Sequence, residues 1–175
     1  MPNTYTQLYI QFVFAVKGRE NLIHSSWKND LYKYITGIVQ NNKSKLITIN
    51  GMEDHIHIFI GYKPSVPIPD LVKDIKVAST LWINEKKLSK QKFAWQEGYG
   101  AFSYSHSQID AVYKYIRDQE IHHLKKTFKQ EYIDFLISFK IEYNDKYLFD
   151  FAADEIKSST PTELPGSLNL NPINI

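Results

Sequence analysis

The segment from Gln7 to Val16 alternates like a β-strand, yet neither of its faces is polar. Leu8, Ile10, Phe12 and Phe14 fall on one side and Tyr9, Gln11, Val13 and Ala15 on the other. The second face is too apolar for water. With 175 residues and 43% hydrophobic content the chain can bury one sizeable core, which favours a single compact domain.

The elements that follow can be read from their periods. From Trp27 to about Asn41, the residues Leu31, Tyr34, Ile35, Ile38 and Val39 recur at helical spacing, with Ser25 or Ser26 placed to cap the start. Leu46 to Asn50 and His55 to Tyr62 are β-rich runs joined by the polar turn Gly51, Met52, Glu53 and Asp54. A second helix follows Pro67 and Pro69, with Leu71, Val72, Ile75, Ala78 and Trp82 as its buried stripe. Phe93 to Gln96 and Tyr99 to Tyr104 supply further strand segments, broken at Gly98 and Gly100. Ser107 and Asp110 then open a helix expected to run unbroken to about Lys126, and another covers roughly Lys129 to Phe139, burying Tyr132, Phe135, Leu136 and Phe139. Strand, helix, hairpin, helix, strand, helix is the ferredoxin-like or split βαβ order. That fold is an α+β, RRM-like antiparallel sheet with helices on one face, here followed by C-terminal helices. Residues 1–140 are expected to form the single catalytic domain, and residues 141–175 a C-terminal extension with a partly disordered tail rich in Ser, Thr, Pro and Asn.

Composition narrows the chemistry. The chain has no cysteine, which excludes disulfides, thiolate metal sites and a cysteine nucleophile, so any metal must sit on His, carboxylate or amide groups. No stretch approaches the roughly 18 apolar residues that a membrane span requires, and the N-terminal segment lacks a leader pattern; a soluble, cytoplasmic protein is expected. The net charge of +2 conceals a division: residues 141–175 carry two lysines against six acids, which leaves +6 on residues 1–140. A polyanionic partner suits that half, and 12 Tyr, 10 Phe and 3 Trp provide rings on which single-stranded bases can stack, although most such rings serve a core.

Two short constellations carry chemistry. In His55-Ile56-His57 the period of two places both imidazoles on one side of a strand, which is half a metal site; taken alone, an incidental or hydrogen-bonded pair looks the same. Tyr115 and Gln119 stand four residues apart in a helical run, about 40° apart around the axis, so what the phenol reaches the amide can reach. Tyr113 falls away from that face, and Lys114 and Arg117 flank it as phosphate contacts. A core tyrosine beside a solvated glutamine is the plain alternative for this helix on its own.

Five segments taken together resemble the HUH tyrosine transposases of small bacterial insertion sequences and their relatives, the REP-associated tyrosine transposases. They are Gly51 to His57, Asp74-Ile75-Lys76 with Ser79 downstream, the run Trp95-Gln96-Glu97-Gly98-Tyr99-Gly100-Ala101-Phe102-Ser103, Tyr115-Ile116-Arg117-Asp118-Gln119, and His122-His123. The resemblance covers residues 7 to about 140 in the family's order and spacing. Gln11 stands where members often have histidine, a departure that leaves the implied metal set intact.

The resemblance implies a divalent cation, Mg2+ or Mn2+, on His55, His57 and Gln119, with Tyr115 as the nucleophile of a 5′-phosphotyrosine intermediate. It implies cleavage and rejoining of single-stranded DNA carrying hairpins at element ends, and a homodimer in which the tyrosine helix acts in trans, with Gly98 and Gly100 as hinge points. Lys17 and Arg19 after the first strand match a basic pair of the family, and Lys76, Lys114, Arg117, His122 and His123 are the further candidate DNA contacts, with Lys76 also a candidate helper of Tyr115. Asp54 is either a turn residue or a carboxylate that orients an imidazole. Two other readings share the fold: a domesticated nuclease acting on REP-type hairpins by the same chemistry, and a sheet-based nucleic-acid binder without catalysis.

Overall fold

The computed structural model describes residues 3–148; residues 149–175, where most of the expected tail falls, lie outside them. Four strands, β1 (Leu8–Ala15), β2 (Lys45–Gly51), β3 (His55–Tyr62) and β4 (Gly100–Tyr104), form one sheet in the order β2-β3-β1-β4. Every neighbouring pair is antiparallel. This is the α+β, split βαβ arrangement expected from the order of periods.

The two apolar sides of β1 receive two separate covers. Ile10, Phe12 and Phe14 join Ile56, Ile58 and Ile60 of β3 beneath α1 (Ser25–Asn41) and α2 (Ile68–Glu85), whose Leu31, Ile35, Leu71 and Ile75 are fully buried there. On the opposite side, Val13 and Ala15 join Phe59, Phe102 and Tyr104 beneath α3 (Ile109–Arg117) and α5 (Phe128–Ser138). α5 brings Phe128, Tyr132, Phe135 and Leu136 to that face, with Phe135 stacked on Phe102 at 4.9 Å. Burying those four side chains contributes roughly 6–12 kcal/mol before ordering costs, so α5 is a fixed wall of the domain.

Local departures from the expected pattern have identifiable causes. The cap of α1 is His24, whose Nδ1 accepts from the Ser26 N–H, rather than either serine. α2 turns Ser79 and Ile83 inward, where Ala78 and Trp82 were expected and are only partly buried, because Ser79 takes the Trp95 indole N–H at 2.8 Å. The segment Phe93 to Gln96 is not a full strand; Trp95 makes a single bridge to Val16. The capping box before α3 is Ser105 with Gln108, on a short 3-10 turn, not Ser107 with Asp110.

The expected continuous helix to Lys126 is interrupted at Asp118, and a separate five-residue helix, α4 (Gln119–His123), follows. Asn50 of β2 explains the break. Its Nδ2 donates to the carbonyls of Ile116 and Arg117 at 3.1 and 2.8 Å, drawing the last carbonyls of α3 onto the sheet. The kink sets α4 against β2 and brings the His123 ring to 4.8 Å from that of His55 at the start of β3.

Candidate metal and tyrosine site

Residue parity on β3 sends Ile56, Ile58 and Ile60 to the α1–α2 side and His55, His57 and Phe59 to the other. The turn before β3 is tight: a Cβ on Gly51 would lie 2.1 Å from the His55 carbonyl oxygen, so only glycine lets the hairpin close and start β3 at His55. Both imidazoles are fully buried.

Each ring is oriented by a different partner. His55 Nδ1 lies 2.7 Å from Asp54 Oδ1; the carboxylate holds the proton on Nδ1 and leaves Nε2 facing the site. Asp54 is also a turn residue, its carbonyl accepting the Val16 N–H at 2.8 Å, so both roles proposed for it hold at once. His57 Nδ1 lies 2.8 Å from Gln11 Nε2, and the Gln11 carbonyl accepts from the Tyr104 hydroxyl at 2.7 Å. In this arrangement His57 keeps its proton on Nε2; rotating the Gln11 amide by half a turn would present oxygen to Nδ1 and free Nε2. An amide serves both tautomers, which a carboxylate cannot do.

Both Nε2 atoms are buried without a well-directed hydrogen bond. They converge on a group that the sequence motifs do not include, Glu131 of α5. Its Oε1 is 3.3 Å from His57 Nε2 and its Oε2 is 3.6 Å from His55 Nε2. Gln119 Nε2 donates to Oε1 at 3.0 Å, His123 Nε2 lies 3.0 Å from Oε2, and the Tyr115 hydroxyl donates to Oε1. The signal in the sequence was an acid beside the buried stripe of α5, one residue before Tyr132 and four before Phe135. A carboxylate on an apolar helix face must have partners waiting.

The charges follow from this geometry. Burial opposes the charged form of His55, but its bonds to Asp54 and Glu131 prevail and raise its pKa to about 9. Burial prevails at His57 and lowers its pKa. Glu131 is held well below the usual carboxylate range, its burial outweighed by His57 and by bonds from His123 and His55. Burial, then the adjacent Glu131 charge, raises the Tyr115 pKa, so the phenol is neutral as it stands.

One ligand atom from each of His55, His57 and Glu131 lies within 4.8 Å of the others, and this donor set of two imidazoles and a carboxylate fits a divalent cation. Tyr115 is only half buried; its ring centroid lies 6.1 Å from that of His57, and its hydroxyl is 3.3 Å from His122 Nε2. Phe128 stacks on His55 at 3.9 Å and closes the far side. Beside it a cleft of about 490 Å³ runs between the starts of α1 and α5, lined by Lys28, Asp54, His123, Lys126 and Phe128 among others.

The structure therefore brings His55, His57, Tyr115, Gln119, His122 and His123 together, and all belong to the same chain. Tyr115 and Gln119 do not ride one helix as the spacing suggested; they straddle the break at Asp118 and still meet at Glu131. Lys114 and Arg117 are exposed on α3, Arg117 bound to Asp118 at 3.1 Å. Lys17 and Arg19 lie in a short turn after β1. As a helper of Tyr115, Lys76 is a correction: from α2, on the opposite face of the sheet, its ammonium donates to the carbonyls of Gln96 and Gly98. It ties down the loop before β4 and has no contact with Tyr115; burial lowers its pKa to about 8.

Comparison with known proteins gives the same direction. Residues 4–119 match the family described as IS200-like transposases. The ISDra2 transposase TnpA of Deinococcus radiodurans is 26% identical over 118 residues, covering 65% of this chain and 84% of that protein. A crystal structure of a transposase from Deinococcus radiodurans R1 superposes with a TM-score of 0.55 at 23% identity, over 68% of this chain and 95% of that one. A REP-associated tyrosine transposase bound to a REP hairpin superposes with a TM-score of 0.54 at 12% identity, over 70% and 73%. The two structural likenesses are of fold. Among the described residues, no helix is long and apolar enough to cross a membrane. With two thirds of its length matched in sequence and the paired imidazoles, tyrosine and amide gathered on that fold, the chain belongs to the IS200-like, HUH single-tyrosine transposase family.

Proposed function

We propose that this transposase cuts and rejoins single-stranded DNA through a covalent bond to Tyr115, with hairpins at element ends as its recognition feature and the cytoplasm as its place of action. Residues 1–140 are taken as the catalytic domain. The observation that carries the reading is the meeting of the Tyr115 hydroxyl and both imidazoles at one carboxylate within one chain.

His55 and His57 would hold the nitrogen side of a Mg2+ or Mn2+ site, with Glu131 facing them and Gln119, the amide that the resemblance implies, hydrogen-bonded to that carboxylate. The bound cation supplies Lewis-acid withdrawal of charge from the scissile phosphate. Tyr115 gives up its proton and its oxygen bonds to phosphorus; the bond from phosphorus to the 3′-oxygen breaks, and that oxygen leaves as a 3′-hydroxyl after gaining a proton. The 5′-phosphotyrosine keeps the phosphodiester free energy, so another 3′-hydroxyl can attack it and rejoin strands without ATP. The strand reaches Tyr115 from the half-exposed side formed by His122 and His123, and the cleft lined by Lys28 and Lys126 accepts its continuation. Lys17, Arg19, Lys114 and Arg117 are the outlying phosphate contacts.

A homodimer remains part of the reading, but with each tyrosine serving its own chain. Supporting this is the 6.1 Å between the rings of Tyr115 and His57 within one chain. A domesticated REP-type hairpin nuclease is the second reading, favoured by likeness of fold to a transposase bound to such a hairpin.

Incubation of the chain with hairpin-bearing single-stranded DNA and Mg2+ tests the proposal. A protein–DNA adduct that survives denaturation is expected, and Tyr115→Phe should abolish it while hairpin binding persists. Binding without any adduct would leave the non-catalytic alternative.

A further inference from the structure

We propose that Glu131 is part of the catalytic site: it is the third protein ligand of the cation and also the anchor that holds the Tyr115 hydroxyl beside it. This deepens the function proposed above and rests on it. The family match ends at Gln119, and Glu131 lies twelve residues further on, in another helix. The site of this chain thus extends into α5.

A structural role alone does not account for the arrangement. Glu131 is 2% exposed and sits among Phe128, Tyr132, Phe135 and Leu136, which already secure α5. An acid buried there carries a desolvation cost that an apolar residue would not incur. Five side chains from three other elements are nevertheless aimed at its two oxygens: His55 and His57 of β3, Tyr115 of α3, and Gln119 and His123 of α4. The separations of 3.3 and 3.6 Å between its oxygens and the two Nε2 atoms are close to the ~3 Å between neighbouring ligands of a six-coordinate ion with bonds of ~2.1 Å.

The donor chemistry points the same way. A neutral amide is a weak partner for a hard cation, whereas a carboxylate is a strong one. Gln119 turns its N–H group toward Glu131 Oε1, and its own oxygen lies 3.1 Å from His123 Nε2. Gln119 therefore supports the cation through Glu131, as an outer partner that fixes the carboxylate. Because the same Oε1 takes the Tyr115 O–H, the group that binds the cation also sets where the phenol oxygen stands.

Mn2+ titration of the full chain, followed by electron paramagnetic resonance of free Mn2+, tests this together with the hairpin adduct assay. Glu131→Gln is nearly isosteric and should weaken Mn2+ binding roughly 10- to 100-fold and lower the adduct yield even at saturating Mn2+. Tyr115→Phe should bind Mn2+ as the wild type does. Glu131→Asp keeps the charge on a shorter arm and should fall between wild type and Glu131→Gln in Mn2+ affinity, which preserves the test if the amide variant folds poorly. Wild-type Mn2+ affinity in both Glu131 variants, with loss of binding in Gln119→Ala, would overturn the proposal and leave the amide as ligand. If wild-type protein forms the adduct and Glu131→Gln forms it equally well, Glu131 falls while the transposase reading stands. If wild-type protein forms no adduct but Glu131→Gln loses Mn2+, the ligand role stands and the reading of function fails.

Discussion

Asp54→Asn isolates the carboxylate that prepares His55. The bond between Asp54 Oδ1 and His55 Nδ1 is 2.7 Å long, and the imidazole at its end has no exposed surface. A hydrogen bond to a charged group is worth about 1.5–3 kcal/mol, more than a neutral one because water does not screen it here. Asparagine keeps the shape and can still accept, but it cancels the charge that stabilises the Nδ1 proton, and its N–H side can turn toward the ring and move that proton to Nε2. Loss of an outer partner of a ligating histidine weakens metal binding about 10- to 100-fold, which is about 1.4–2.7 kcal/mol and matches the worth of the bond. Mn2+ affinity should therefore fall by that factor at pH 7.5. In EDTA the variant should melt about 3–12 °C lower, at 2–4 °C per kcal/mol for a chain of this size. Unchanged Mn2+ affinity together with an unchanged Tm would reduce Asp54 to its turn, where its backbone carbonyl meets Val16, and would refute the orientation of His55 described above.

Three further outcomes follow from the geometry. Without metal, the raised pKa of His55, about 9 against 6.5, makes its imidazolium a stabilising partner of Asp54 and Glu131; that stability is complete below pH 6.5 and is lost as pH rises through 9. Denaturant melts in EDTA should show a decline of up to about 3 kcal/mol across that window, while Mn2+ affinity climbs because the proton must leave first. A flat profile would contradict the assignment. Mixing Tyr115→Phe chains with His57→Ala chains should give no adduct, since each site uses its own tyrosine; recovery of activity in the mixture would restore the trans arrangement. Gly100→Ala should cost about 1–3 kcal/mol in chemical denaturation, because its Cβ would come within 2.8 Å of the Phe102 ring and 3.1 Å of Tyr132. A neutral result would mean that α5 can shift away from β4.

The fold was legible because its elements follow simple periods. The two-residue rhythm of β1 and β3 separates one core from the other, and that rhythm alone puts His55 and His57 on a common side. The three-to-four spacing marks α1, α2 and α5 in the same way. What escaped was decided by contacts between distant segments. Nothing in Tyr115 to Gln119 announces a helix break; Asn50, 66 positions before Ile116, imposes it by taking the carbonyls that the helix would have used. Lys76 matched a position of the family, yet its place on α2 commits it to the carbonyls of Gln96 and Gly98 on the other face. Glu131 belongs to no local motif, and its importance lies in three other elements that meet it. A helical wheel would still have shown an acid at the margin of a buried stripe, which is where a paired, functional carboxylate is sought.

The most direct measurement is the identity of the residue that carries DNA after cleavage. Trapped adduct made with a hairpin-bearing strand, digested with protease and nuclease and read by mass spectrometry, should show a 5′-phosphonucleotide on Tyr115 and on no other of the 12 tyrosines. Modification of Tyr113, which is 40% exposed two positions away, or of no tyrosine at all, would contradict the account.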